Sequence, residues 1–326
     1  MSPPRAVVGL EVHARLRTAT KLFCRCPNRA AAPPNTLVCP VCLGHPGTLP
    51  TPNRQAVDLA VLLALALGAR VAERSAWARK AYFYPDLPKG YQVTQHDRPL
   101  ASGGRLPLPG GGGLGIRRLH LEEDAARLLH DETGSGVDFN RAGAPLVEVV
   151  SEPELGSADA AREAFRELHL LLVTLGVCDG RLEEGSLRCD ANVSLAAGGS
   201  GGTGGARVEI KNLASFRQLA RAVEAEVARQ RRLLAAGGTV AAETRGFDEA
   251  TGETFALRGK ESAAEYRYQP EPDLPHLSVP PERLAALAER LPEPPWERRE
   301  RLTVELGLPA GDAARLAADP TAADYF

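Results

Sequence analysis

Segments in which acidic and apolar residues alternate dominate the first two hundred residues of the chain. In Ala6–Leu16, Glu11 and His13 alternate with Leu10 and Val12. Successive side chains of a β-strand point to opposite faces, so the polar and apolar residues of such a segment separate. The same pattern recurs in three further segments: Leu114–Asp124, Leu187–Leu195 and Ala206–Lys211. The chain is therefore predicted to form a sheet that buries one face and carries carboxylates on the other.

Helical periodicity separates these strands. It predicts helices over Arg54–Leu67, over Ala158–Leu175 with Ser157 as N-cap and Gly176 at the end, and from Ser215 to about Ala235. Another strand is predicted over Pro145–Ser151. Hairpins with interspersed helices indicate an α+β fold around an antiparallel sheet.

The texture changes after Pro270, where prolines separate short helical patterns at residues 282–291, 296–306 and 312–318. We predict one large domain over residues 1–290. The start of a helical module, a short stub, is predicted over residues 291–326.

Composition limits the class of protein. The 326 residues are 44% hydrophobic and 25% charged with a net charge of −2, so a nucleic-acid partner would need a local basic patch. No apolar run approaches the ~20 residues that cross a bilayer. The first residues also lack the apolar region of a signal peptide. A cytoplasmic protein without a membrane segment is expected.

Four of the six cysteines fall in one short segment, as Cys24 and Cys26 followed by Cys39 and Cys42. Four thiolates in close pairs suit a tetrahedral zinc ion with no open position. A structural zinc loop over residues 24–42 is therefore predicted. The alternative is a set of buried thiols without metal.

The segment Lys80–Gln92 contains three tyrosines, Tyr82, Tyr84 and Tyr91, and two lysines, Lys80 and Lys89. The chain as a whole is only 5% aromatic. Rings and ammonium groups together can stack on a base and hold its phosphates. The alternative is a proline-stiffened loop packed on its own tyrosines.

Carboxylates on strands, with a histidine or an amide nearby, are suitable ligands for Mg²⁺ bound to phosphate. In His120–Asp124 the alternation with Leu119 and Leu121 places Glu122 on the open face and Glu123 on the buried one. Both glutamates are kept as candidates. A solvated sheet face would show the same pattern, and for any single strand it is the simpler interpretation.

Other chemistries lack support. Ser186 has no nucleophile elbow around it. The glycine runs Gly110–Gly113 and Gly198–Gly205 lack the Gly-Lys-Ser/Thr ending of a phosphate loop, and both are predicted to be hairpin tips.

A family resemblance rests on nine motifs that occur in order over about Val7–Leu277. They are Gly9-Leu-Glu-Val-His13, Cys39-Pro-Val-Cys-Leu-Gly44, Tyr82-Phe-Tyr-Pro-Asp-Leu-Pro-Lys-Gly-Tyr91, His120-Leu-Glu-Glu-Asp124, Asn140-Arg-Ala-Gly-Ala-Pro-Leu146, Ser151-Glu-Pro-Glu154, Glu184-Gly-Ser-Leu-Arg-Cys-Asp-Ala-Asn192, Arg207-Val-Glu-Ile-Lys-Asn212 and Tyr266-Arg-Tyr268 with Pro270-Glu-Pro-Asp-Leu-Pro275. This set resembles the family of B subunits of the aspartyl/glutamyl-tRNA(Asn/Gln) amidotransferases.

The resemblance implies an ATP-dependent ligase that forms a C–N bond. Such a protein phosphorylates the side-chain carboxylate of Glu-tRNA(Gln) or Asp-tRNA(Asn). Ammonia, released by the amidase (glutaminase) partner in a complex that also holds a third, small protein, then gives the amide. The implied fold is a cradle similar to the glutamine synthetase and guanidino-kinase fold.

The resemblance also implies roles for individual residues. Mg²⁺ would be held by Glu11, His13, Glu122, Glu123, Asp190 and Glu209. The catalytic residues would be Glu11, His13, Lys80, Lys89 and Lys211. ATP would be bound by Tyr82, Tyr84, Lys89, Tyr91, Gln92, Arg188, Asn192 and Asn212.

Two alternatives remain at this point. The family usually continues with a helical domain and a tail domain that grip tRNA, whereas this chain has only a stub. A stand-alone enzyme that activates a small carboxylate, or a zinc-stabilised RNA-binding scaffold without activity, would also fit. The choice between Glu-tRNA and Asp-tRNA stays open.

Overall fold

The computed structural model describes residues 4–29, 31–132, 134–196, 206–259 and 265–326. The glycine run Gly198–Gly205, predicted as a hairpin tip, lies outside the described residues. The other run, Gly110–Gly113, connects two paired antiparallel strands, Arg105–Pro107 and Gly113–Glu123, which confirms that prediction.

The fold mixes strands and helices throughout. The strands are β1 (Arg5–Arg15), β2 (Arg70–Val71), β3 (Ala78–Ala81), β4 (Tyr91–Thr94), β5 (Ala101–Ser102), β6 (Arg105–Pro107), β7 (Gly113–Glu123), β8 (Arg127–Asp131), β9 (Gly134–Asp138), β10 (Pro145–Ser151), β11 (Leu187–Ala196), β12 (Val208–Leu213), β13 (Glu243–Asp248), β14 (Glu253–Gly259) and β15 (Gln269–Pro270). The helices are α1 (Arg54–Ala66), α2 (Ala158–Thr174), α3 (Phe216–Ala235), α4 (Pro281–Ala288), α5 (Pro295–Val304), α6 (Ala310–Ala317) and α7 (Pro320–Tyr325).

One large sheet organises the molecule, in the strand order β14-β13-β12-β11-β1-β10-β7-β5-β2, with β6 also paired to β7. All its pairings in the described part of the chain are antiparallel except that of β12 with β13. The predicted α+β class with an antiparallel sheet is therefore confirmed. The similarity to the glutamine synthetase fold remains a prediction.

Local signals in the sequence set the helix starts. Ser157 and Ser215 cap α2 and α3, each hydroxyl accepting a hydrogen bond from a first-turn N–H group, as predicted. Proline occupies the first position of α4, α5 and α7, where its missing N–H costs nothing. Helix α7 was not predicted, because its six residues are too short for a periodic pattern.

The apolar face of the central strands forms the core. Val8, Leu10 and Val12 of β1 are buried there with the opposed residues of β10 and β11, and α2 and α3 pack over this face. The alternation predicted for β1 is therefore confirmed. The other face is left for polar groups.

Two smaller units flank the sheet. Strands β15, β3 and β4 form a three-stranded sheet beside β7. A small separate core of Leu302, Ala313 and Ala317 joins α5 to α6. The division at residue 290 remains a prediction. None of the described helices combines the length and the apolar character that a bilayer crossing requires.

Candidate functional site

The polar face of six neighbouring strands carries the candidate site. Strand register puts Glu11 opposite Asp190, His13 opposite Glu148, and Glu148 opposite His120. Farther along the sheet, Asn192 lies opposite Glu209, and Glu209 opposite Thr244. Opposed residues share a face, so side chains that are far apart in sequence meet above one sheet.

The first acidic cluster consists of His13, Glu122 and Glu148, whose candidate ligand atoms all lie within 4.8 Å of one another. His13 Nε2 lies 3.4 Å from Glu122 Oε1 and 3.6 Å from Glu148 Oε2. His120 Nε2 approaches the same Glu148 oxygen at 2.9 Å. All four side chains are at most 14% exposed, so this is a desolvated site.

The second acidic cluster consists of Glu11, Asp190 and Glu209, again within 4.8 Å of one another. Lys211 Nζ donates to Asp190 Oδ2 at 2.9 Å and to Glu209 Oε1 at 2.7 Å. Asn192 Nδ2 donates to Glu11 Oε1 at 2.9 Å. Lys211 thus neutralises part of the negative charge.

Electrostatics at the two clusters favour a bound cation. Burial, and then the carboxylates of Glu148 and Glu209, raise the pKa of Glu11. Burial alone would raise the pKa of Glu148 too, but the imidazoles of His120 and His13 hold it well below its usual range. Crowded buried carboxylates cost free energy unless a positive charge compensates them.

The donor set fits a hard divalent cation. Five carboxylates and one imidazole form the two clusters, and Mg²⁺ prefers oxygen ligands. Nδ1 of His13 is buried without a hydrogen-bond partner in the described structure, so the ring is held by its Nε2 contacts. The clusters can therefore hold metal ions.

A cavity of about 230 Å³ opens above the clusters. Its lining also includes three cations, Lys80, Arg118 and Arg207, and two rings, Tyr266 and Tyr268. Within the described residues, neither Arg118 nor Arg207 has a side-chain hydrogen bond or ion pair, and Arg118 Nε is buried. Arg118 shares a strand face with His120 and Glu122, so the cavity places guanidinium groups beside the acidic clusters.

The aromatic rings at the cavity contact one another. Tyr268 stacks on His96 with centroids 3.7 Å apart and planes 20° from parallel. Tyr266 meets Tyr82 edge-on, and the Lys80 ammonium lies 4.4 Å from the centre of the Tyr266 ring. Burial raises the pKa of Tyr268 to about 12, so its phenol stays neutral and can donate a hydrogen bond.

The predicted aromatic segment is split between two places. Lys80 lines the cavity just described, and Tyr82 contacts the Tyr266 ring that also lines it. By contrast, Lys89 donates to Glu123, and both residues line a second cavity of about 210 Å³. Tyr91 lines that second cavity beneath the guanidinium of Arg79. The side chain of Gln92 donates to the Glu123 carbonyl, and Tyr84 is 55% exposed.

The structure also separates the two adjacent glutamates. Glu122 belongs to the first acidic cluster, whereas Glu123 Oε1 accepts hydrogen bonds from Lys89 and from the Val93 N–H. The alternation in the sequence indicated this separation, although both residues were kept as ligands.

Two other predicted residues make structural contacts. Arg188 Nη2 lies 3.4 Å from Asp124 Oδ1. Asn212 adopts φ 60° and donates its backbone N–H to Asp190 Oδ1 at 2.8 Å, which orients that carboxylate. Neither side chain is among those that line the cavity, although Arg188 lies opposite His13 in the strand register.

The four predicted cysteines do converge. Cys24, Cys26, Cys39 and Cys42 place their sulfur atoms within 4.8 Å of one another, and Cys39 Sγ lies 3.9 Å from Cys42 Sγ. Tetrahedral zinc with bonds of ~2.3 Å requires sulfur atoms roughly 3.8 Å apart, so the donor set fits. The pKa of Cys42 is lowered to about 4, first by hydrogen bonding with Cys24 and then by the Cys39 N–H and the Lys21 ammonium.

Sequence reasoning missed several residues of the site. Glu148 lies in Pro145–Ser151, an otherwise apolar strand, and a single carboxylate in such a run was the available signal. Thr244 carried no signal, because only the strand order brings it to the cavity. Arg118 was overlooked although the alternation in Leu114–Asp124 places it on the same face as His120 and Glu122. Tyr266 and Tyr268 were noticed only as part of a motif.

Comparison with known proteins gives consistent matches. A family model described as the GatB/GatE catalytic domain matches residues 6–285. The curated relatives are B subunits of aspartyl/glutamyl-tRNA(Asn/Gln) amidotransferases. The chain is 50% identical to the one from Geobacter sulfurreducens, with 99% of this chain and 69% of the relative covered. It is 51% identical to the Myxococcus xanthus protein and 50% identical to the Thermus thermophilus protein, each over 98% of this chain and 68% of the relative.

Proposed function

The chain belongs to the GatB/GatE catalytic domain family, and on that premise we propose that it is the carboxylate-activating component of a tRNA-dependent amidotransferase. It uses ATP to activate the side chain of glutamate or aspartate attached to tRNA and then forms the amide. The observation that carries this proposal is the pair of acidic clusters that line one cavity together with three cations.

The first step is phosphoryl transfer. A side-chain carboxylate oxygen attacks the γ-phosphorus of ATP, the bond from that phosphorus to the bridging oxygen breaks, and ADP leaves. The product is an acyl phosphate, whose phosphate is the leaving group that a free carboxylate lacks. The protein contributes positioning and charge neutralisation in such a reaction.

The acidic clusters hold Mg²⁺ in this proposal, with His13, Glu122 and Glu148 in one site and Glu11, Asp190 and Glu209 in the other. A bound divalent cation neutralises charge on phosphate oxygens. Hydrogen bonds from Lys211 to Asp190 and Glu209, and from Asn192 to Glu11, orient the second set of carboxylates. We assign Glu122 to this role and Glu123 to a contact with Lys89.

The cations and rings that line the cavity bind the nucleotide and the aminoacyl end of tRNA. Arg118, Arg207 and Lys80 contact the phosphates, because they line the same cavity as the clusters and lack carboxylate partners in the described structure. Tyr266 and Tyr268 stack on a base, supported by Tyr82 behind Tyr266.

The second step forms the amide. Ammonia attacks the acyl carbon, the nitrogen loses a proton, and the bond from carbon to the phosphate oxygen breaks to release phosphate. This chain offers no glutaminase nucleophile that we recognise, so ammonia comes from an amidase partner in a cytoplasmic complex that includes a third, small protein.

The cysteine cluster holds structural zinc in this proposal. Four thiolates fill a tetrahedral shell and leave no position for substrate. About one zinc ion per chain is expected in metal analysis of the purified protein, and none after Cys24 and Cys42 are both replaced by serine.

The scaffold alternative is less favoured. Buried carboxylates destabilise a fold unless they are paired, and a scaffold gains nothing from five of them on one face. The alternative of a small carboxylate differs from the proposal only in its substrate. Measuring whether ATP turnover depends on tRNA distinguishes the two.

The decisive experiment uses the chain in complex with its amidotransferase partners, with Glu-tRNA(Gln), ATP and ammonium chloride. The wild type should form Gln-tRNA(Gln), and Glu148→Gln should lower the rate about 10²–10³-fold, as loss of a preorganised charge does. Glu152→Gln is the matched control, because Glu152 pairs with Arg117 at the surface. A wild-type rate for Glu148→Gln, or ATP turnover without tRNA, would contradict the proposal.

A further inference from the structure

We infer that a buried ion-pair network around Glu226 and Arg245, on the opposite side of the sheet from the cavity, positions the acidic residue Glu209 through Thr244. Glu226, Arg245 and Thr244 are then positioning residues. The consequence for cation binding rests on the proposed function, whereas the structural claim does not.

The joint between β12 and β13 is one of the shortest in the sheet. It consists of two residue pairs, Glu209 with Thr244 and Ile210 with Arg245, and it is parallel. By contrast, β1 and β11 pair over ten residues. A slip of one residue would turn every side chain of β13 to the other face. So short a ladder needs another element to fix its register.

Helix α3 supplies that element. Glu226 on α3 is 0% exposed, and its carboxylate accepts hydrogen bonds from Gln230 at 2.8 Å and from the Thr254 hydroxyl at 2.9 Å. Arg229 on the same helix pairs with both oxygens of Glu226 at 2.8 and 2.9 Å. Gln230 also donates to the Val193 carbonyl of β11 at 3.2 Å, which ties the network to the central strands.

Arg245 connects this network to β13. Its Nε lies 3.5 Å from Glu226 Oε2 and donates to the Thr254 hydroxyl at 3.0 Å. Its Nη1 donates to Glu243 at 2.9 Å, and its Nη2 donates to the Thr254 carbonyl at 2.6 Å. The guanidinium is therefore held by β13, β14 and α3 together, and only one strand register satisfies all of these bonds.

Thr244 transmits this register to the cavity. It precedes Arg245 and lines the cavity on the opposite face, where its Oγ1 lies 3.4 Å from Glu209 Oε2. Lys211 contacts the other oxygen of Glu209 at 2.7 Å. The two contacts act on different oxygens of the carboxylate, so the Thr244 contact contributes to its orientation.

A buried charge network in this place is better explained by specificity than by stability. Replacing such a network with apolar side chains is often neutral or stabilising, and fixing a register is its best attested use. Removing a residue that hydrogen-bonds to a metal ligand typically weakens metal binding about 10–100-fold.

The test measures Mn²⁺ binding to the full chain by electron paramagnetic resonance, with the metal alone as probe. Thr244→Val and Glu226→Gln should each weaken one Mn²⁺ site about 10–100-fold. The double variant should bind no more weakly than the weaker single variant, since both act through one hydroxyl. Effects that add, or unchanged affinity in Glu226→Gln, would overturn the inference.

The matched control is Glu167→Gln. Glu167 is also a buried glutamate on a helix. It accepts hydrogen bonds from Nη1 and Nη2 of Arg299 at 3.0 and 2.8 Å, but it faces α5. It should lose stability without losing Mn²⁺ affinity. If Glu226→Gln fails to fold, Thr254→Val removes bonds to both Arg245 and Glu226 while leaving the charges paired, and it should weaken the same site.

Hydrogen exchange separates this inference from the proposed function. Glu226→Gln should increase amide exchange in residues 243–248 relative to the wild type and to Glu167→Gln. If the wild type binds no Mn²⁺, the proposed cation sites fail, and the exchange result still decides the register claim. Unchanged exchange at β13 would overturn it.

Discussion

Glu11 and His13 are two residues apart on β1, and each belongs to a different acidic cluster. Glu11 joins Asp190 and Glu209 on one side, and His13 joins Glu122 and Glu148 on the other. Residues i and i+2 of a strand are roughly 6–7 Å apart at their Cα atoms. On the proposed function, one strand would hold two neighbouring cation sites at a fixed separation, as suits a reaction with several phosphate oxygens.

The two clusters predict the number of cations. The wild type should bind about two Mn²⁺ ions per chain, because each cluster offers three ligands. Glu148→Gln should lose one ion and Asp190→Asn the other, measured by equilibrium dialysis. Loss of both ions in either variant would indicate one shared site instead.

Lys211 is predicted to stabilise the fold most when no divalent cation is present. Lys211→Met removes the ammonium that pairs with Asp190 and Glu209, and it should lower the free energy of unfolding by about 3–5 kcal/mol in EDTA. Added Mg²⁺ should recover part of this loss, since a cation can replace the missing charge. Urea unfolding with and without Mg²⁺ measures both effects, and equal losses in the two conditions would contradict the prediction.

Gly44 is predicted to have no tolerance for a side chain. It adopts φ +70°, and a Cβ there would collide with Lys89, the partner of Glu123. Gly47 has a similar φ of +81° but open space around it, so Gly47→Ala reports the backbone strain alone. Gly44→Ala should cost about 1–3 kcal/mol more than Gly47→Ala in urea unfolding. Equal costs would show that the cysteine loop does not press on Lys89.

The pair of Glu271 and Arg79 predicts a pH dependence of stability. Burial would raise the pKa of Glu271, but the hydrogen bonds from Arg79 hold it below its ordinary value of 4.5. A lowered folded-state pKa adds stability above the unfolded value, and this stability is lost as the pH falls through the folded value. Glu271→Gln should therefore be less stable than the wild type by about 1–2 kcal/mol at neutral pH, with a gap that closes on acidification.

The control for this pH effect is Asp273→Asn. Asp273 accepts from the same guanidinium at 3.2 Å, but its side chain is 42% exposed. Its loss should change stability by less than about 1 kcal/mol, because the pair is partly screened by solvent. A gap for Glu271→Gln that widens on acidification would contradict the assignment.

The sequence predicted the strands better than their partners. Alternation alone indicated that Glu11, His13, Asp190 and Glu209 face the same way, because the period of a strand is two. It could not show that Glu209 faces Thr244, since that contact depends on a parallel joint between β12 and β13. Glu148 was missed because it is a single carboxylate in a strand that is otherwise mostly apolar and buried.

The segment Lys80–Gln92 shows a second limit. The composition indicated a binding role for the whole segment, but β3 and β4 form a hairpin in which Lys80 pairs with Gln92 and the residues between them loop away. The hairpin sends Lys80 and Lys89 to different cavities. Composition describes a segment, whereas the turn decides where each side chain points.

The most direct test of carboxylate activation is to trap the acyl phosphate with hydroxylamine. The chain, in complex with its amidotransferase partners and supplied with Glu-tRNA(Gln), Mg²⁺ and ATP, should yield a tRNA-linked glutamyl γ-hydroxamate. This product should require ATP and should fall about 10²–10³-fold in Glu148→Gln and Asp190→Asn. Hydroxamate formation without ATP, or at a wild-type rate in both variants, would contradict the proposal that these clusters activate the carboxylate.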